Sequence, residues 1–233
     1  MRWQFGVLGP RDAGNGAEAE GPTMATDLLV HERDRGTVGV RARFLQLQAR
    51  TVERATGPDT FEPAHVLECN GDTRISWDEA VDHEIDLGTF DLSALRAGAH
   101  TGDFEVPAGA ETELLHDGHG ALLGRLVRRR WPLQLSARLE LTVDGGPVQT
   151  LRVTLTNRRA AHAEEPSTEA DHHHDARART LRRSALSAHL TLRAHGADFV
   201  SVIDPPPWAE EPARACRSHR LWPVLVGDTG TDD

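Results

Sequence analysis

Three consecutive histidines, His172, His173 and His174, flanked by Glu169, Asp171 and Asp175, are the most metal-like feature of the chain. Imidazole suits nickel, zinc and copper, and neighbouring carboxylates raise the local negative potential. A held metal needs ligands in fixed geometry with outer partners that orient them, and adjacent histidines in a polar loop supply neither. The tract is read as an adventitious binder. His116, Asp117 and His119 cluster on a Gly-rich stretch, but strand alternation puts 116 on the opposite side from 117 and 119. Asp-Gly and His-Gly are also ordinary turn chemistry. Cys216 and His219 would share one side of a helix as a thiolate–imidazole pair, without an oxyanion loop or a G-x-S-x-G elbow to complete a hydrolase. Arg125 and Arg128–Arg130, next to Trp131, make a basic aromatic patch of the kind that holds single-stranded nucleic acid. In a chain of formal net charge −10 it is read instead as an outer strand face balancing nearby acids.

The stretch best suited to recognition is Asp204-Pro205-Pro206-Pro207-Trp208. Its prolines fix an extended segment at low entropic cost and present an acid and an aromatic on a rigid turn. Rigid aromatics make good interface anchors. Trp222, ahead of Pro223, is placed to join the same patch, so Asp204, Trp208 and Trp222 are the candidate partner-binding residues.

Composition removes several chemistries. All 26 cations are Arg, and Lys and Tyr are absent. There is no Schiff-base or phosphate-cradling lysine and no tyrosine acid or nucleophile. The acidic balance argues against a phosphate-tracking nucleic-acid binder. No apolar run approaches the ~20 residues of a membrane span, and the start lacks a signal-peptide core. Cys69 and Cys216 form no C-x-x-C pair, and reduced thiols in a cytoplasmic protein are the expectation, with one disulfide as the alternative. No cofactor is implied.

The elements that must position these residues are mostly strands. Residues 1–25 lack apolar periodicity over most of their length and read as a disordered N-terminal extension, with Met24 as a candidate start. From Leu28 to Asn157 the hydrophobic period is two. Val38, Val40, Ala42 and Phe44 share one parity, and Leu45, Leu47 and Ala49 take the other, which predicts a bulge at Phe44–Leu45. Asn70-Gly71, Asp117–Gly120 and Asp144–Pro147 mark hairpins, the last joining Leu133–Val143 to Leu151–Leu155. The pattern predicts an antiparallel β-sandwich over 26–157. Residues 158–180 form a charged, His-rich linker. In 181–233 the spacing of Leu181, Ala185, Ala188 and Leu192 predicts a helix over 178–195 capped by Gly196. A strand at Phe199–Ile203, a helix over 208–217 and a strand at Leu221–Val226 complete a small α/β appendage.

Four blocks, residues 41–55, 76–87, 187–209 and 220–227, resemble a family of actinobacterial proteins encoded near nickel–iron hydrogenases. The resemblance spans most of 26–227 and brings no catalytic residue with it. It implies an accessory or assembly role beside a large metalloenzyme, and a chain shorter at its C-terminus than the family. The expected function is a non-enzymatic interaction or assembly module with a protein partner. The rival readings are a metal-dependent hydrolase drawing on His83, His116, His119 and His189 at the sandwich loops, and a ligand-binding sandwich.

Overall fold

The computed structural model describes residues 6–11, 21–143, 145–159 and 176–226. In chain order the elements are β1 (Gly6–Leu8), β2 (Thr23–Ala55), β3 (Phe61–Ala64), β4 (Val66–Cys69), β5 (Asp72–Ile75), β6 (Trp77–Asp91) and α1 (Leu92–Ala97). They continue with β7 (His100–Val106), β8 (Gly109–His116), β9 (Leu122–Arg130), β10 (Leu133–Val143) and β11 (Gln149–Asn157). The last are α2 (Ala176–Leu181), β12 (Ala185–Val200), α3 (Glu210–Ala215) and β13 (Ser218–His219).

β2, at 33 residues, organises the molecule. Along one side it pairs in turn with β11 (Thr23–Val30), β6 (Thr37–Arg50) and β3 (Val52–Ala55). Along the other it pairs with β13, β12 and β9. A strand several times the usual length must bend to serve two layers. The bend falls at Arg35-Gly36, where Arg35 has φ +38° and Glu32 Oε1 accepts from the Gly36 amide at 2.8 Å. Before the bend β2 lies in a layer with β11, β10 and β7; after it, β2 lies with β6, β12 and β1.

The two layers close an antiparallel β-sandwich. One buried cluster joins Leu8, Met24 and Phe44 to Leu133, Leu135 and Leu155, and a second joins Val38, Val40 and Leu92 to Leu139, Leu151 and Val153. The far end of β2 carries a smaller cluster with β4, β8 and β9, built on Val52, Leu67, Cys69, Leu115 and Leu126. All three sequence-marked hairpins form, joining β4 to β5, β8 to β9 and β10 to β11.

Four expectations are corrected. Residues 185–200 form strand β12, not a helix; the helix stops at Leu181. Ala185 and Ala188 are both buried because the register shifts between Leu186 and His189, around Ser187 at φ +50°. A second shift at Gly196 turns Ala197 inward after Ala194. Two bulges thus imitate helical spacing, and Gly196 (φ +64°) serves a bulge, not a helix cap. The bulge expected at Phe44–Leu45 is absent: pairing with β6 is unbroken from Arg41 to Arg50. Gln46 and Gln48 stay on the inward parity, and the irregularity sits in β6 opposite Val40/Arg41. At the N-terminus, β1 pairs with β12 and buries Leu8, while Met24 is a core residue of β2, so these residues belong to the sandwich. Finally, Leu221–Val226 is not a strand; the last pairing is the bridge between Ala25 and Arg220.

The C-terminal elements do not stand alone. β12 is a sandwich strand, and Ala209, in the turn before α3, and Ala213 on α3 pack with Leu29 and Val148.

Candidate functional site

β12 ends at Val200, and Ser201 Oγ accepts from the Asp204 amide at 3.0 Å, closing a turn that leaves the Asp204 carboxylate exposed. Three prolines then lead into a 3-10 turn at Pro207–Ala209 that runs on into α3. Because Ala209 is buried against Leu29, its neighbour Trp208 must project outward, and it is 49% exposed with its ring 5.5 Å from that of His31. After β13, Arg220 at φ +59° donates to the carbonyls of Val7 (2.9 Å) and Gly21 (2.8 Å). Leu221 packs against the first core cluster, and Trp222, 65% exposed, turns to solvent with Val224, Leu225 and Val226.

The two tryptophans are therefore both displayed, but from different anchor points. Trp208 meets β2 at His31 and Trp222 follows the bridge to Ala25, positions about 20 Å apart at ~3.3 Å per strand residue. Ile203 is also exposed, beside Asp204.

His172, His173 and His174 lie outside the described residues. Among the described residues no three His, Cys, Asp or Glu side chains are grouped to hold a metal ion. The four sandwich histidines go to separate duties. His83 contacts Gln46, and His189 Nδ1 meets its own strand's Ser187 carbonyl at 2.9 Å. The His116 carbonyl accepts from Asn70 Nδ2 at 3.0 Å, and Asp117 Oδ1 accepts the His119 and Ala121 amides, a turn function. Cys216 and His219 do not share a helix face: α3 ends at Ala215 and His219 sits on β13. Burial, and then the Asp27 carboxylate, push the Cys216 thiol up against the opposing pull of Arg217, which keeps it a poor nucleophile. An apolar void between the layers, lined by Leu8, Phe44, Phe104, Leu135 and Leu155, holds no more than about one water.

The basic run is engaged as the charge balance demanded. Arg128 binds Glu79 (3.3 Å) and Glu113 (3.1 Å), Arg130 faces Glu111 (3.7 Å), and Arg125 binds Glu53 (2.5 Å). Trp131 is buried with the guanidinium groups of Arg129, Arg182 and Arg183 5.2–5.7 Å from its ring centre.

Sequence reading missed one buried polar constellation. Gln46 is fully buried; its Nε2 donates to the Trp131 carbonyl at 2.5 Å and its Oε1 meets His83 Nε2 at 3.0 Å. The signal was available: Gln46 and Gln48 keep the inward parity of Val38 to Phe44, and an inward glutamine implies a buried partner.

Comparison with known protein families, curated proteins and solved structures finds no match to this chain. No helix among the described residues is long and apolar enough to cross a membrane.

Proposed function

We propose that the protein is a non-enzymatic interaction module whose C-terminal segment docks on another protein. One observation carries the reading. Of the eleven large apolar side chains left exposed among the described residues, six (Ile203, Trp208, Trp222, Val224, Leu225 and Val226) fall within 203–226. Exposed apolar side chains concentrated in one segment mark a binding surface more often than chance does. The segment is also well founded: α3 is seated on Leu29 and Val148, and Arg220 ties it to Val7 and Gly21. Trp208 and Trp222 are the anchors, with Asp204 supplying a charge beside the first.

The partner is a protein and not a nucleic acid, because Arg125, Arg128 and Arg130 already face carboxylates. The resemblance of the four blocks supports a partner within a nickel–iron hydrogenase system. Two free cysteines fit a cytoplasmic place of work.

The test is affinity purification of the full chain, with mass spectrometry of co-purifying proteins and metal analysis. The wild type is expected to bring down a hydrogenase component, and Trp208→Ala with Trp222→Ala to lose at least about tenfold of it. Recovery of the wild type alone and metal-free overturns the reading.

A further inference from the structure

β13 pairs with β2 as far as His219 opposite Ala25, and the chain then leaves the sheet through Arg220. Arg220 keeps one bridge to Ala25 and takes φ +59°, a left-handed backbone that a long side chain adopts only where its surroundings impose it. Those surroundings are N-terminal. Its Nη2 donates to the Val7 carbonyl at 2.9 Å and its Nη1 to the Gly21 carbonyl at 2.8 Å, across 213 and 199 residues of chain. A Cβ at Gly21 would stand 2.8 Å from that Nη1, and one at Gly6 3.0 Å from the Arg220 carbonyl oxygen, so both glycines leave room for the approach.

The two accepting residues are themselves held in place. Asn157, fully buried, donates its Nδ2 to the carbonyl of Leu8 at 3.1 Å and its backbone amide to that of Pro22 at 2.8 Å, the residues next to Val7 and Gly21. Beyond Arg220 the chain has less support. Leu221 packs on the cluster that contains Leu8 and Met24, and no hydrogen bond among the described residues holds 221–226. Trp208 depends on none of this: its neighbour Ala209 is buried with Leu29 and Val148 and donates its amide to the Pro206 carbonyl at 2.8 Å. β1 is three residues long and pairs with β12 alone among the described strands, so it opens at lower cost than the strands inside the sheet.

We propose that Arg220 is the residue through which β1 and Gly21 position Trp222, so that the docking surface has a fixed half at Trp208 and a conditional half at Trp222. The inference rests on the reading of 203–226 as a docking surface. With Arg220 tied to Val7 and Gly21, the chain leaves the sheet in one direction and sets Trp222 outward, one residue beyond the core contact of Leu221. With the tie broken, by loss of the side chain or by opening of β1, residues 221–226 lose their fixed point while Trp208 keeps its own. A partner that grips both tryptophans then holds one fixed anchor and must order the other, which weakens binding without altering any contact. Opening of β1 thereby reaches the partner through a residue that need not touch it.

Backbone order parameters from NMR relaxation of the isolated full chain test the tie. Arg220→Gly is the variant, because glycine accepts φ +59° without strain and only the guanidinium is lost. The Leu221 and Trp222 amides are expected at about 0.85 in the wild type and below about 0.6 in Arg220→Gly, with the Trp208 amide unchanged. Values at Leu221 and Trp222 that stay in the rigid range, or an equal fall at Trp208, overturn the proposal. Should Arg220→Gly not fold, Gly21→Ala decides: its Cβ crowds Nη1 off the carbonyl, and unchanged order parameters overturn the tie. In the affinity purification, Arg220→Gly is expected to retain severalfold less partner than the wild type, and equal retention overturns control over docking. A wild type that retains no partner ends the docking reading instead, and the order parameters still decide whether Arg220 fixes the segment.

Discussion

Arg182 forks onto Asp78 across 104 residues of chain, with Nη2 at 2.7 Å and Nε at 3.1 Å from Oδ1. The Arg182 side chain is 4% exposed and lies against the Trp131 ring, so the Asp78 carboxylate balances a buried charge. Asp78→Asn keeps the shape and removes the charge. It should lower stability by about 3 kcal/mol, read as a drop in the urea midpoint. An unchanged midpoint would show that the pair does not hold β6 to the segment before β12.

Gly196 separates two effects that positive φ usually confounds. A Cβ there would overlap the Asp34 carbonyl oxygen as well as sit at φ +64°. Gly145, at φ +78°, has nothing within 4 Å. Gly145→Ala should cost about 1 kcal/mol from backbone strain alone, and Gly196→Ala at least about 2 kcal/mol. Equal costs would remove the close approach of β12 to the β2 bend.

Glu79 gives acid stability. Burial alone would raise its carboxyl, but hydrogen bonds from Arg50 and Gln48 and the charge of Arg128 hold it below the ordinary 4.5. A carboxylate lowered in the folded state adds stability above about 4.5 that is lost as pH falls through its folded value. Thermal melts of Glu79→Gln should sit below wild type at neutral pH and converge with it toward about pH 3. Parallel curves at all pH values would contradict this.

Leu8 checks whether β1 is structural. It is 1% exposed in the main cluster, and Leu8→Ala should cost about 3 kcal/mol. A chemical-denaturation midpoint within error of wild type would place β1 outside the cooperative unit.

The strands were legible because period-two patterning and Gly-rich turns are local properties, and Leu133–Val143 against Leu151–Leu155 needed nothing else. What failed was non-local. The helical spacing of Ala185, Ala188 and Leu192 dissolves once the open side of β2 is there to pair with β12. The parity at Gln46 was misread because hydrophobicity was taken as the sole mark of the inside, while His83 and the Trp131 carbonyl make a buried glutamine affordable. Leu221–Val226 has strand composition and no partner strand, and so stays exposed. Of the candidate site, proline placement singled out Trp208 and Trp222; their exposure and their separate anchor points on β2 could not be read from it.

Oxidative footprinting of the tryptophans, on the isolated chain and on its purified complex, bears most directly on the binding reading. Trp222 and Trp208 should oxidise readily alone, with buried Trp131 as the unreactive reference, and both should be protected at least severalfold in the complex. Equal oxidation of Trp208 and Trp222 in the two samples would contradict a C-terminal docking surface.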